Sequence, residues 1–377
     1  MNHIALLIPG LDRIGGAEQQ LILLAKGLRR RGWKVSVVAL SGTGGDAAAE
    51  LIAAGIAFLS LGMRKGLADP RGWIRFHHWL KQQAPDVIHA HLPHAAWLAR
   101  WSRLAAPIPV LVDTLHSSST GTLARCLGYR WSNWLPDRVT AVSQAVADTH
   151  LSASMVTADK LTVLPNGVDA EAWRPDVAVR IATRRGLGLE KEFLWLAAGR
   201  LEPVKDYPSL LRAFARAPNS ARLVIAGSGP LWNELARMAQ ALGVENRVLF
   251  LGFQTDIRRW MQAADGFVLA SRWEGLPMGL LEAAACALPT IATDVAGTRE
   301  VIVDGQTGWL VPAGDASALG DAMNRMMQTP SEERRAIGER ARQQVIERFS
   351  LEAVLDQWET LYLNLLGQRG TGGAAAS

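Results

Sequence analysis

The chain has little cysteine, little tyrosine and no long apolar run. Its two cysteines, Cys126 and Cys286, lie far apart with no metal-ligand spacing around either. A disulfide-stapled scaffold is thereby excluded, and a reducing, cytoplasmic setting is expected. No apolar stretch approaches the roughly 20 residues needed to cross a bilayer. The first apolar run, Ile4 to Ile8, stops at once on Pro9-Gly10, which reads as a buried strand and not as a signal peptide. No D-x-D triplet of the kind that holds a metal ion occurs. No recognisable nucleic-acid reader motif accompanies the net charge of +5, so no nucleic-acid partner is expected.

What is present is unevenly distributed. Residues 1–175 carry 18 Lys/Arg against 12 Asp/Glu, a net +6, whereas residues 176–377 carry 22 against 23, a net −1. All eight histidines fall in the first part. Such a basic half either meets an anionic partner, such as phosphate head groups or a pyrophosphate-linked acceptor, or is simply a basic soluble surface. At 377 residues, of which 49% are hydrophobic, the chain exceeds one ordinary core and is expected to form two domains.

Both halves use one grammar. Short apolar runs, each followed by an amphipathic stretch, recur as IALLIPG, VSVVAL, DVIHAH, PVLVDTLH, RVTAVS and LTVLPNG. They then recur as LWLAAGRL, RLVIAG, RVLFLGF, GFVLAS, PTIATD and GWLVPAGD. Near-continuous apolar strands alternating with helices specify parallel sheets covered on both faces. The fold class is therefore α/β, with two doubly wound Rossmann-like domains facing across a cleft. The turn-rich segment PNGVDAEAWRP separates them, giving expected domains at 1–172 and 173–349. A final helix at 350–366 is expected, followed by a low-complexity tail at 368–377 expected to be disordered.

Ligands of doubly wound sheets bind at the carboxyl ends of the strands, which selects the candidate residues. Gly15 and Gly16 precede a strongly amphipathic helix and either bring backbone amides close to a ligand or form a plain turn. His116 ends an apolar run beside a Ser-rich loop, and His89, His91 and His94 crowd another strand end without a carboxylate cluster. In LAAGRLEPVKDYPSLLRAF, Arg200 and Lys205 follow a strand closely. They either grip an anion or pair at the surface with Glu202 or Asp206. In SRWEGLPMGLLEAAACALPT, Glu274 lies in a loop and Glu282 about one turn into a helix opened by Pro277. Eight helical residues would separate two backbones by about 12 Å, and glycosidase carboxyls stand roughly 5–9.5 Å apart, so spacing alone leaves an acid/base pair open. The two neighbouring cations, with the amides of Gly275, Leu276 and Met278, point instead to a diphosphate site, the glutamates accepting hydroxyls at either end of a nucleotide sugar.

In the order IGGAE, TLHS, AVSQAV, VLPNGVD, AAGRLEPVKD, VIAGSGP, LGF, SRWEGLPMGLLEA and VAGTREVI, the chain resembles a retaining, GT-B-fold glycosyltransferase of family four over nearly its whole length. The resemblance implies that Arg200 and Lys205 neutralise the donor diphosphate in place of a metal. Glu274 would hold the sugar ring, Glu282 the ribose, and the amides around Gly275, Leu276, Pro277 and Met278 the sugar and phosphates. Gly16 would meet the phosphate or acceptor, with Gly15 on the acceptor side, and His116 would sit beside the transferred sugar. Phe253 and Gln254 would lie near the base, Asn166 near the hinge, and Trp358 and Tyr362 would return the final helix to the first domain. No cofactor is implied beyond a nucleotide-sugar co-substrate, and the missing D-x-D motif agrees with metal independence. The expected activity is retaining hexosyl transfer to a saccharide or lipid-linked acceptor in bacterial cell-surface polysaccharide or glycolipid synthesis. UDP is the expected base, with GDP the alternative; an epimerase on the same fold and a non-catalytic binding relative are the rival readings.

RGWIRFHHWLKQQ, residues 71–83, combines Trp73, Ile74, Phe76, Trp79 and Leu80 with Arg71, Arg75 and Lys81, and HAAWLARWSRLAAPIP adds Trp97, Trp101, Arg100 and Arg103. These are either ordinary helices with an apolar side on the sheet or a surface for an anionic membrane. With the basic first half they lead us to expect peripheral association at the inner face of the cell membrane.

Overall fold

The computed structural model describes residues 1–64, 69–189, 191–254 and 256–373, with side chains through Arg369. The chain divides into two compact units, Met1–Gly167 with Leu351–Ser377, and Val168–Ser350. The division falls after Gly167, a few residues before the expected boundary at 172. Val168 already belongs to the second unit, where its amide donates to Phe349 O at 2.8 Å.

The first unit is a seven-stranded parallel sheet. Its strands are β1 (His3–Ile8), β2 (Lys34–Ala39), β3 (Ala57–Ser60), β4 (Val87–His91), β5 (Val110–Leu115), β6 (Arg138–Ala141) and β7 (Leu161–Val163), arranged 3-2-1-4-5-6-7. β1, β4 and β5 are buried at every residue and mainly apolar, as a helix-covered parallel sheet requires; the exceptions are His3 in β1, His89 and His91 in β4, and Asp113 and Thr114 in β5. β3 was not among the expected strands although it lies in an apolar run, IAFLSL; it is a four-residue edge strand, exposed or half-buried along its length.

The second unit repeats the plan. Strands β8 (Phe193–Ala198), β9 (Ala221–Ala226), β10 (Val248–Gly252), β11 (Gly266–Leu269), β12 (Thr290–Thr293) and β13 (Trp309–Val311) are ordered 10-9-8-11-12-13. In each sheet the order reverses once, between β1 and β4 and between β8 and β11. Strands leaving such a switch point turn their connections to opposite faces, which opens a crevice at their carboxyl ends.

The last helix, Leu351–Gly373, runs beyond the expected stop at residue 366. Gly367 is tolerated inside it, since a helical glycine costs only about 1 kcal/mol relative to alanine. Residues 368–373, expected to be disordered, are therefore helical; 374–377 lie outside the described residues. Leu351, Val354, Leu355, Trp358, Tyr362 and Leu365 are buried in the core of the first unit, and Arg31 meets Glu352, Asp356 and Glu359 on the helix's outer side. Burying each large apolar side chain contributes roughly 1.5–3 kcal/mol, which fixes the C-terminal segment to the N-terminal sheet.

Candidate active site

In the second unit, the carboxyl ends of β8 and β11 lie side by side, since the two strands pair at Gly266↔Trp195 and Phe267↔Leu196. The chain after β8 passes Arg200 and tightens into a 3₁₀ turn at Pro203–Lys205. Asp206 then adopts a left-handed φ of +46° before the helix Tyr207–Phe214. The chain after β11 runs through Ser271 and Glu274 to the helix Met278–Ala285, with Pro277 as its cap residue rather than within its first turn. Arg272 links the loops: its amide donates to Val204 O at 2.8 Å, and its Nε to Asp206 Oδ2 at 3.3 Å.

At their meeting point Lys205 Nζ donates to Glu274 Oε1 at 2.5 Å, and Ser271 Oγ donates to the same oxygen at 2.5 Å. Ser271 is fully buried, and Thr293 Oγ1 holds its carbonyl at 2.5 Å. Two donors on one carboxylate oxygen fix the rotamer of Glu274. Behind them, Tyr207 is buried and its hydroxyl donates to Gly199 O at 3.0 Å. Burial, with the charge of Glu274 nearby, pushes the Tyr207 phenol well above its usual range, so it acts as a neutral donor.

Two glycines let backbones pass through this region. A Cβ on Gly227 would stand 1.9 Å from Gly199 O, and one on Gly297 would stand 2.3 Å from Gly275 O and 2.8 Å from Glu274 O. Gly297 thus lets the short helix Ala296–Arg299 back directly onto the loop that carries Glu274.

Arg200, expected beside Lys205, instead donates to Glu202 Oε1 at 2.8 Å with its side chain 67% exposed. This is the surface pair that the sequence left open. Glu282 is buried on the helix Met278–Ala285; burial of the Cys286 thiol, and then the charge of Glu282, pushes that thiol up to about 12. Leu276, Pro277 and Met278 are buried and Gly275 is half-buried. Phe253 is 60% exposed, and the Gln254 amide folds back on Leu251 O and Phe253 O.

In the first unit, Gly16 starts the helix Gly16–Arg30, and the Gly15 amide donates to Glu18 Oε2 at 3.0 Å. Glu18 thereby satisfies one amide donor at this helix start. Asn166 is buried, and the amide of its neighbour Gly167 donates to Gln20 Oε1 at 2.9 Å. His116 follows β5 and its Nε2 shares a proton with His91 Nδ1 at 2.9 Å, the rings being stacked. Burial lowers His116 to about 4 and holds His91 and His89 well below the usual range, so all three are neutral near pH 7. His89 bonds Thr114 Oγ1 at 2.6 Å and the Tyr362 hydroxyl at 2.7 Å. With both ring nitrogens so engaged it offers no metal a lone pair. Among the described residues no group of three His, Cys, Asp or Glu is arranged to hold a metal ion.

A cavity of about 780 Å³ opens at the carboxyl ends of β1, β2 and β4 in this unit. Pro9 and Gly10, Leu40 and Ser41, and Pro93 and His94 bring the strand ends to it, while Trp73, Trp97, Arg13, Arg64 and Arg125 supply aromatic faces and charge. Sequence reasoning missed the cavity, Ser271, the His91–His116 contact and Gly297. Ser271 and His91 stood at strand ends, and Gly297 lay within VAGTREVI, so only the contacts themselves were hidden.

Two Rossmann-like units with switch-point sites of this kind define the GT-B class. Residues 14–172 match the model described as Glycosyltransferase Family 4, and residues 179–344 match the one described as Glycosyl transferases group 1. The chain is 31% identical to N-acetyl-alpha-D-glucosaminyl L-malate synthase of Bacillus anthracis, over 74% of this chain and 75% of that one. It is 27% identical to an Escherichia coli UDP-Gal:alpha-D-GlcNAc-diphosphoundecaprenol alpha-1,3-galactosyltransferase, over 80% and 81%. In fold it resembles Anabaena HepE in complex with UDP and glucose, with a TM-score of 0.86, 24% identity, and 96% and 99% of the two chains covered. The chain belongs to the family 4, group 1 glycosyltransferases, and it is a glycosyltransferase enzyme.

Proposed function

We propose that this glycosyltransferase moves a hexosyl unit from a UDP-sugar to a saccharide or lipid-linked acceptor, with retention and without a metal ion, in cell-surface polysaccharide or glycolipid synthesis. The observation that carries the reading is the Lys205–Glu274–Ser271 cluster at the β8/β11 switch point, where a preset cation meets a carboxylate of fixed rotamer. A departing nucleoside diphosphate gathers negative charge, and a cation already in place stabilises it without reorganisation. Lys205 serves as that cation. Arg200, exposed and hinged on Glu202, swings onto the diphosphate when the donor arrives. Glu274 accepts donor-sugar hydroxyls and Glu282 the ribose hydroxyls. With no second carboxylate assigned as nucleophile, the acceptor attacks from the face the phosphate leaves, and the phosphate takes the acceptor's proton.

The UDP assignment is supported by the E. coli relative, named for a UDP-Gal donor, and by the UDP complex of the HepE fold neighbour. The test is a thermal-shift panel of UDP-, GDP- and ADP-sugars with and without EDTA, since a ligand at 100 times its Kd stabilises the native state by about 2.7 kcal/mol. A shift with UDP-sugars that survives EDTA is expected. A shift with GDP-sugars alone, or one abolished by EDTA, overturns the donor or metal assignment, and NMR of the product's anomeric proton decides retention.

A further inference from the structure

The helix Leu123–Ser132 is amphipathic in the unusual sense. Its buried residues are Tyr129 and Ser132, whereas its largest apolar groups face out. Leu123 is 75% exposed, Leu127 41%, Trp131 75%, and Trp134, just past the helix end, 65%. Their spacing of 4, 4 and 3 residues puts them on one stripe. The stripe continues onto the neighbouring helix Pro93–Ser102, because the Trp97 ring packs against Gly128. Trp101, one turn further on, and Leu104 are exposed as well.

An apolar surface that includes three exposed tryptophans is costly to leave in water, and its surrounding charge is of one sign. Between Leu92 and Asp137 the sequence holds four arginines and two carboxylates, Asp113 and Asp137. Asp113 is buried and spent on Arg100, which donates to it at 2.6 Å, and Asp137 pairs with Arg103 at 2.8 Å, which leaves Arg125 and Arg130 as the unspent charges. On the same helix Arg130 is exposed and Arg125 half-buried. Tryptophan and leucine on one helix with arginine, and with the nearby Asp113 and Asp137 both paired, is the chemistry that settles at the headgroup level of an anionic bilayer.

The helix at residues 71–83, which the sequence offered for this role, is built differently. Phe76 and Leu80 are buried and Trp79 stacks on Phe76. Trp73 lines the cavity, and only Ile74 of its large apolar residues is fully outward. Its apolar side is already used by the fold.

We infer that the stripe Leu123–Leu127–Trp131–Trp134, with Trp101, is the surface by which this protein docks on an anionic lipid bilayer. The inference rests on the lipid-linked acceptor reading proposed above and gives it a route. The same two helices supply Trp97, Thr122, Ala124 and Arg125 to the wall of the 780 Å³ cavity. Docking along the stripe therefore holds that cavity at the lipid surface, where an anionic headgroup enters beside Arg125.

The test is vesicle flotation of the full-length protein with phosphatidylglycerol/phosphatidylcholine and pure phosphatidylcholine vesicles, against W131S/W134S and the control I74S. All three substitutions lie on exposed side chains, outside the donor site. Wild type and I74S are expected to float with anionic vesicles at low salt, and W131S/W134S to lose at least tenfold in partitioning. Its thermal shift with the UDP-sugar should be unchanged, which separates failure of docking from failure of the donor assignment. Wild type remaining with the unbound fraction, equal flotation of W131S/W134S, or equal binding to neutral vesicles each overturns the proposal. So does a wild-type dimer in sedimentation that W131S/W134S abolishes, since a second copy would then be the stripe's partner.

Discussion

Lys205 and Glu274, 69 positions apart in sequence, share a 2.5 Å hydrogen bond because β8 and β11 are neighbours in the sheet. Each is mostly shielded, with side chains 18% and 12% exposed, so neither is a floppy surface group. The pair holds a cation and an acceptor at a fixed separation before any donor arrives. Preorganisation of that kind is what the proposed donor site requires of a transition-state cation.

Arg200 and Lys205 should therefore respond differently to substitution. Lys205→Ala leaves Glu274 bonded by Ser271 alone; it is expected to lower kcat by about 10²–10³ and to cost roughly 1–3 kcal/mol of stability. Arg200→Ala removes an exposed side chain and should change stability by less than about 0.5 kcal/mol, yet it should cut kcat/KM at least about tenfold. Urea denaturation beside steady-state kinetics reads the split; an Arg200→Ala enzyme of normal kcat/KM would remove it from the donor site.

Gly297→Ala places a methyl group against Gly275 O and Glu274 O. The obstructing atoms are backbone, so the loop must move. We expect a raised KM for the nucleotide sugar and about 1–3 kcal/mol lost from overpacking. Unchanged donor affinity in calorimetry would show that this helix does not set the loop.

The buried His89 and His91 and the half-buried His116 set a pH limit. In the folded state His116 titrates near 4, and His89 and His91 also lie below the usual value, while an unfolded histidine titrates near 6.5. Between those values the unfolded chain binds more protons. The neutral-histidine contribution is thus fully present above pH 6.5 and is lost as pH falls toward 4. Each histidine steepens the loss by up to about 1.4 kcal/mol per pH unit. Denaturation midpoints from pH 8 to 4.5 measure this, and His116→Gln should flatten the profile.

The thiols should separate cleanly. Cys286 is buried and raised to about 12, whereas Cys126 is half-buried with Sγ 3.8 Å from Thr120 O. One thiol is expected to react with a disulfide reagent at pH 8 in the native protein, and two in denaturant. Cys286→Ala should keep its activity, which would set aside a nucleophilic role.

Twelve of the thirteen strands among the described residues were read as apolar runs because a doubly covered parallel sheet demands them; β3 lies in a run of the same kind, IAFLSL, and was passed over as a four-residue edge strand. The final helix was visible too, but its length was not. A glycine such as Gly367 ends a helix only where the chain turns left-handed, and here nothing forces that turn.

The sequence by itself determined the two-sheet architecture, the loops that carry chemistry and the family, since strand periodicity and motif order are local properties. It did not determine partners. Arg200 and Lys205 look equivalent in GRLEPVKD, yet the 3₁₀ turn and the left-handed Asp206 direct Lys205 to Glu274 and leave Arg200 on Glu202. Likewise the helices at 71–83 and 123–132 both carry tryptophan and arginine, and only packing against the sheet decided which stripe was buried. Such pairings depend on segments distant in sequence, and tertiary structure alone brings them within reach.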